Sequence, residues 1–383
     1  MCPKKRIVIL GATGSVGSTV LSEIARYPDL FQVVGVSCYS AVDQLESIVH
    51  RFSPRAMAVV HRTVPVPFHF SGPLFRGIDG LTRLIDAVDF DVLVVALSGV
   101  NGLGATLRAM ERNKDIILAN KEILVIAGAM VMHLAQRKGV RVLPLDSEHN
   151  AIFQCTHGDH RFIRNLWLTA SGGKLWHADR KTIDAATVEM VLQHPKWSMG
   201  KKITVDSSTM ANKGLEIIEA MHFFSIGPER IKVVIHRDCI VHSLVEFCDG
   251  SFLAQLSPPS MKYATRHCLF FPERGDVEEP SLDLYELAAL KFERPDGERF
   301  PCLRLAMEVA RERQSKHIAF NGANEVAVEL FLQKKIGFGA IPGLVESVLG
   351  KIESKDYGTL EEVLAVDQMV RTKAKQLAKR FYI

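Results

Sequence analysis

Three stretches of the chain hold side chains that could do chemistry together. The densest is Val205-Asp206-Ser207-Ser208-Thr209-Met210-Ala211-Asn212-Lys213-Gly214-Leu215-Glu216. Asn212 and Glu216 are four residues apart, so on a helix they share a face. Ser207, Asn212 and Lys213 offer a hydroxyl, an amide and an ammonium, the donors a phosphate needs. A solvated helix start capped by Ser and Thr would use the same residue types, and spacing alone leaves both readings open. The second stretch is Leu145-Asp146-Ser147-Glu148-His149-Asn150. If it continues a strand, Asp146 and Glu148 project from one face. Two hard oxygen donors, with few Cys or His at metal spacing nearby, suit Mg²⁺ or Mn²⁺ and not Zn²⁺. Glu216 could complete a three-carboxylate site with them. A polar cap on the next helix is the competing reading.

The third stretch is Gly11-Ala12-Thr13-Gly14-Ser15-Val16-Gly17, between an apolar run and a helical segment. Phosphate binding needs small residues here, because backbone N–H groups must approach the anion at a helix N-terminus, where the dipole is positive. The spacing is G-x-x-G-x-x-G, a variant of the dinucleotide fingerprint; a turn that only caps the helix is the alternative. After the second apolar run the chain reads Ser37-Cys38-Tyr39-Ser40, with no carboxylate before Asp43. An NAD site usually has an acid there for the ribose 2′-hydroxyl, so its absence favours NADP, although no Arg or Lys stands there either.

Smaller signals complete the set. Ser171-Gly172-Gly173 could present a hydroxyl and amides to an anion, or be a plain turn. His194-Pro195-Lys196-Trp197-Ser198-Met199-Gly200 has the rigid start, aromatic and flexible end of a lid, or of a surface loop. Cys155-Thr156-His157-Gly158-Asp159-His160 matches no standard zinc spacing and reads as an ordinary loop.

These residues need elements to position them. Apolar runs at 6–10, 31–36, 56–60, 91–96, 115–119 and 140–144 alternate with helical periodicity at 17–26, 42–52, 102–112 and 122–137. Strands that are apolar throughout, separated by helices, predict a Rossmann-like parallel sheet covered on both faces. The Pro- and His-rich stretch 61–78 reads as an irregular excursion. Beyond residue 146, strand-like pieces at 162–169, 231–236, 240–248 and 252–256 predict an α+β domain with a partly antiparallel sheet. Pro272 to Pro280 reads as a linker, and segments 303–313, 323–335, 341–353 and 360–381 as helices.

Composition bounds the function. The 383 residues suggest two or three domains, and 47% hydrophobic with 23% charged residues excludes a disordered chain. A formal charge of +4 is too weak to advertise nucleic acid. The seven Cys form no C-x-x-C pair and read as reduced thiols of a cytoplasmic protein. No apolar run is long enough to span a membrane. The N-terminal MCPKKR leads directly into Ile7, leaving no room for a signal peptide.

In the order GATGSVG (11–17), LANKE (118–122), LDSEHNAIFQ (145–154), TASGG (169–173), HPKWSMGKKITVDSSTMANKGLE (194–216), ERFPCLRLA (298–306) and NGANEVAV (321–328), the chain resembles the 1-deoxy-D-xylulose 5-phosphate reductoisomerase family of isoprenoid precursor biosynthesis. The resemblance implies an NADPH-binding domain (1–145), a catalytic domain binding metal and substrate (146–271), a linker (272–298), a C-terminal helical domain (299–383), and a homodimer. It implies NADPH- and Mg²⁺- or Mn²⁺-dependent rearrangement and reduction of the sugar phosphate to 2-C-methyl-D-erythritol 4-phosphate. Asp146, Glu148 and Glu216 would hold the metal. Ser147, Glu148, Ser171, His194, Ser207, Asn212, Lys213 and Glu216 would meet substrate, with Lys121 beside the reacting carbons. Lys121, Glu148, His194 and Glu216 would be catalytic. Thr13, Gly14, Ser15, Val16, Asn120, Glu122 and Gly200 would contact the cofactor, and Trp197 and Met199 would belong to the lid. The chain departs from the family at Tyr39-Ser40-Ala41, where a Gly–polar–Asn run is usual, at Arg237-Asp238-Cys239 and at Ser257–Lys262. Two other readings compete: a metal-independent NADP dehydrogenase of another phosphorylated carbonyl compound, and a non-enzymatic NADP sensor.

Overall fold

The computed structural model describes residues 3–193, 200–276 and 281–383. The chain packs as two compact units, one of Met1–Ile123, Ala129–Asn150 and Met261–Glu278, the other of Leu124–Gly128, Ala151–Ser260 and Glu279–Ile383.

The first unit is built on seven parallel strands: β1 (Lys5–Leu10), β2 (Phe31–Cys38), β3 (Ala56–Val59), β4 (Leu74–Arg76), β5 (Val92–Val95), β6 (Asp115–Leu118) and β7 (Val142–Pro144), in the order β4-β3-β2-β1-β5-β6-β7. Ile7 to Leu10 and Leu93 to Val95 are fully buried, as a sheet covered on both faces requires. The order reverses at β1, so the carboxyl edge beside β1 is the switch point where such sheets bind ligands. Two elements differ from the sequence expectation. Leu74–Arg76, inside the supposed excursion, forms an edge strand, and Ile78–Ala87 is a helix whose Leu81, Leu84 and Ile85 stripe is buried. A three-residue strand is too short to show a period, whereas the helix had a readable one.

Helix Met261–Phe270 also belongs to this unit, although the sequence reading gave residues up to 271 to the catalytic segment. Arg266 pairs with Glu23 at 2.9 Å, both buried, and Lys5 donates to the Leu269 carbonyl at 2.7 Å.

The second unit holds a mixed sheet of β8 (Ile163–Ala170), β9 (Ile231–Ile235), β10 (Val241–Phe247) and β11 (Phe252–Leu256), in the order β11-β10-β8-β9. β8 and β9 run parallel; the other pairs are antiparallel. Helices Pro301–Val309, Gln314–Leu332, Ala340–Leu349 and Leu360–Ala378 follow, with Ile318, Phe320, Leu344, Val345, Val363 and Val370 buried. A Thr359/Glu362 capping box starts the last of them. Among the described residues no helix is long and apolar enough to cross a membrane.

His317, 5% exposed, sits 3.1 Å from the Val309 carbonyl, and burial lowers its pKa to about 4. Its ordinary value is 6.5, so below that pH the unfolded chain holds a proton the folded chain does not. Between pH 6.5 and 4 this residue alone should remove up to about 1.4 kcal/mol of stability per pH unit on acidification. Urea unfolding across that range should show a shallower slope in His317→Gln.

Candidate active site

Parallel strands deliver their carboxyl ends to one edge, and the first unit's candidate residues all follow such ends. The Gly11–Gly14 turn follows β1. Gly11 has φ +83°, and a Cβ there would come within 2.5 Å of the Ala96 carbonyl oxygen. A Cβ on Gly17 would meet the Gly11 oxygen at 2.2 Å, so the turn closes only with glycines at both places. Its amides at Gly11 and Ala12 donate to the Ser37 hydroxyl (3.1 Å) and carbonyl (2.8 Å), tying the turn to the end of β2. Helix Ser15–Ile24 then starts at Gly14 with no side chain capping it. The uncapped helix start leaves backbone N–H groups at the turn, a geometry that suits an anion such as a pyrophosphate.

Asn120 and Lys121 follow β6. Asn120 caps helix Lys121–Lys138 by accepting from the Ile123 amide at 3.0 Å, and its own amide donates to the carbonyls of Leu97 and Gly99 at 2.6 Å each. One buried side chain thus fixes both the helix start and the loop after β5. Glu122 is buried in the same first turn. Because β6 and β7 pair in register (Leu118 with Pro144), Lys121 and Asp146 come from adjacent strand ends. The Lys121 ammonium lies 2.6 Å from the Asp146 carboxylate, both largely buried.

The stretch after β7 is not extended. Helix Ser147–Thr156 begins directly after Asp146, so strand alternation does not place Asp146 and Glu148. Glu148 lies in the first helical turn, where its carboxylate accepts from the Ser147 hydroxyl at 2.5 Å. The Asp146 carboxylate accepts from the Ser147 amide at 3.1 Å.

In the second unit, β8 ends at Ala170, and Ser171 opens a turn through Gly172 and Gly173, both at positive φ. A Cβ on Gly173 would press to 2.7 Å from Ser208 Cα. That close approach brings the Ser171 and Ser207 hydroxyls to 3.4 Å. Arg237 donates to the carbonyls of Ser171 and Gly173 at 3.3 Å each. Sequence reasoning marked Arg237 only as a departure; its bracing role has no local signal.

The 205–216 cluster is not a solvated helix start. It joins helix Lys201–Ser208 to helix Ala211–Phe224 through Met210, at φ +62°. Val205, Asp206, Ser208, Thr209, Lys213 and Glu216 are all buried. Asn212 and Glu216 share the helical face their spacing implied, and the Glu216 carboxylate accepts from Asn212 at 2.5 Å and from the Lys213 ammonium. Asp206 pairs with Lys202 at 3.0 Å and accepts from Asn324 at 2.7 Å, anchoring the first helix; Asn324 was legible only as part of a motif. Gly200 caps that helix, and a side chain there would meet nothing within 4 Å.

His194, Trp197 and Met199 lie outside the described residues. The Cys155–His160 stretch is a loop only from His157 on, because Cys155 and Thr156 close helix Ser147–Thr156; burial pushes the Cys155 thiol up to about 11, which disfavours the thiolate a zinc ion needs.

Hard carboxylates and hydroxyls dominate the candidate set, which fits Mg²⁺ or Mn²⁺. Asp146 and Glu148 belong to the first unit, Glu216 to the second.

Three segments match models of one family: 7–128 "1-deoxy-D-xylulose 5-phosphate reductoisomerase", 142–224 its C-terminal domain, and 256–373 "DXP reductoisomerase C-terminal domain". The chain is 42% identical to the 1-deoxy-D-xylulose 5-phosphate reductoisomerase of Desulfosudis oleivorans, covering 97% of this chain and 99% of that one. A crystal structure of DOX-P reductoisomerase with NADPH, fosmidomycin and magnesium superposes with TM-score 0.93 at 40% identity, covering 98% of each chain. The Zymomonas mobilis enzyme in complex with NADPH gives 0.89 at 37% identity, covering 98% of this chain and 99% of that one.

Two outcomes are expected from this geometry. Gly17→Ala, which forces a Cβ onto the Gly11 oxygen, should cost about 1–3 kcal/mol in urea unfolding and weaken nucleotide binding. Lys213→Met leaves the buried Glu216 carboxylate without its cation and should cost about 3–5 kcal/mol. Much of that second loss should return in Lys213→Met/Glu216→Met.

Proposed function

The chain belongs to the 1-deoxy-D-xylulose 5-phosphate reductoisomerase family, and on that footing we propose that it converts 1-deoxy-D-xylulose 5-phosphate to 2-C-methyl-D-erythritol 4-phosphate, using NADPH and a divalent metal ion, in isoprenoid precursor synthesis. The observation that carries this is the buried arrangement on helix Ala211–Phe224: Glu216 is 0% exposed, yet it is ion-paired with Lys213 and accepts a hydrogen bond from Asn212. A buried ion pair contributes little net stability over an apolar substitute, so its use here points to chemistry.

When bound, the metal ion polarises the substrate ketone and NADPH supplies the hydride. Asp146, Glu148 and Glu216 are the proposed metal ligands, and the ion is Mg²⁺ or Mn²⁺. Ser171, Ser207, Asn212 and Lys213 bind the substrate phosphate, so that binding energy from a non-reacting group orients the carbons. Ser147 and Glu148 hold substrate hydroxyls. Lys121 stands as a cation where negative charge develops during carbon-skeleton rearrangement. His194 completes the substrate contacts, with Trp197 and Met199 in a lid that excludes water. Thr13, Gly14, Ser15, Val16, Asn120, Glu122 and Gly200 hold NADPH. The functional division is 1–145 for nucleotide, 146–271 for metal and substrate, 272–298 as linker and 299–383 as the helical domain. The working form is a cytoplasmic homodimer.

NADPH absorbance should fall only when 1-deoxy-D-xylulose 5-phosphate and Mg²⁺ or Mn²⁺ are both present, and EDTA should stop it. Glu216→Gln should reduce kcat by more than the roughly 100-fold that loss of an outer-sphere partner costs. Turnover indifferent to EDTA and to Glu216→Gln would instead favour a metal-independent dehydrogenase.

A further inference from the structure

The end of β2 lacks both the acid that marks an NAD site and a Lys or Arg for a 2′-phosphate. The neighbouring strand supplies what is missing. β2 and β3 pair in parallel as far as Cys38 and Val59. The ladder continues past both strand ends, with Val60 N–H donating to the Cys38 carbonyl at 3.0 Å and His61 N–H to the Tyr39 carbonyl at 2.9 Å. Tyr39 and His61 are therefore fixed side by side, their rings edge to face at 5.7 Å. Arg62 follows immediately.

We propose that in this chain the 2′-phosphate of NADPH is recognised by His61 and Arg62 at the end of β3, together with the Ser40 hydroxyl at the end of β2. This rests on the NADPH reading above and adds the residues that distinguish NADPH from NADH. Gly11 and Ala12 of the pyrophosphate turn are hydrogen-bonded to Ser37, three residues before Ser40, so a nucleotide seated on the turn has its ribose at these strand ends. A cavity of about 360 Å³ opens between the same two loops. Ser40, Asp43 and Gln44 line one side of it, and Val64, Pro65 and Pro67 form an apolar wall suited to adenine.

The Arg62 cation and its loop are held ready. Arg76 donates to the carbonyls of Arg62 (3.3 Å) and Val64 (2.7 Å), which fixes the loop after β3 before any ligand arrives. His61 Nδ1 faces the Thr63 hydroxyl at 3.4 Å, leaving Nε2 as the nitrogen for an anion. Arg62 pairs with Asp79 at 2.9 Å, but both are mostly exposed and such pairs are weak. Asp79 also pairs with Arg83 at 3.0 Å, so it keeps a partner when Arg62 turns to a phosphate. Guanidinium and phosphate then form charge-assisted hydrogen bonds.

The test is isothermal titration of the full-length protein with NADPH and NADH, comparing wild type with His61→Ala/Arg62→Ala and with Arg62→Gln. Wild type should bind NADPH more tightly than NADH. The double variant should bind NADPH at least about tenfold more weakly while its NADH affinity stays within about twofold. Arg62→Gln should fall between. NADPH affinity unchanged in the double variant, or equal losses for both nucleotides, would overturn the assignment. Equal wild-type affinity for NADPH and NADH would overturn it too and point to Asp43 on the ribose hydroxyls. Wild type that binds neither nucleotide would overturn the NADPH reading itself. Circular dichroism melts check that the variants remain folded.

Discussion

A buried full charge held against an opposite one recurs through the described residues of this protein. Lys121 with Asp146, Lys213 with Glu216, and Arg266 with Glu23 all follow this pattern. Removing such ions from water costs several kcal/mol each, and the pairing returns enough only when geometry is tight and hydrogen bonds complete it. Asn212 on Glu216 and the Ser147 amide on Asp146 are completions of this kind. Two of the three pairs consist of residues assigned to metal, phosphate or reacting carbons, so the elements that carry them must be rigid before any ligand arrives.

The fold meets that demand in different ways in its two units. In the first, parallel strands bring the glycine turn, Asn120-Lys121 and Asp146 to one edge without any of them being near in sequence. Asn120 secures the arrangement by capping a helix and holding the β5 loop at once. In the second, no regular edge does this work. A left-handed Met210 breaks one helix into two, Gly173 lets a turn press against Ser208, and Arg237 clamps the turn's carbonyls. Ser171 and Ser207 meet through those irregularities.

Much of the site was legible because residue type and local spacing carry it. Asn212 and Glu216 share a helical face whatever surrounds the helix, and the glycine turn is confined to small residues by its own backbone. Other features left no such trace. The Asp146-Ser147-Glu148 run suits a strand end or a helix start equally well, and the chain's continuation past β7 decided for the helix. The edge strand Leu74–Arg76 was too short to have a period. Arg237 and the Asp206–Asn324 contact join positions far apart in the chain.

The sequence by itself determined the alternation of buried strands and helices, the phosphate-friendly turn and the inventory of acids, hydroxyls and lysines, together with a family resemblance specific enough to imply a reaction. These follow from periodicity and side-chain chemistry, which act over a few residues. Only the tertiary structure decided which charges pair, which turn is braced by which arginine, and that helix Met261–Phe270 packs with the first unit. Those outcomes depend on burial, and burial is set by the whole chain's competition to remove apolar surface from water while leaving no charge alone.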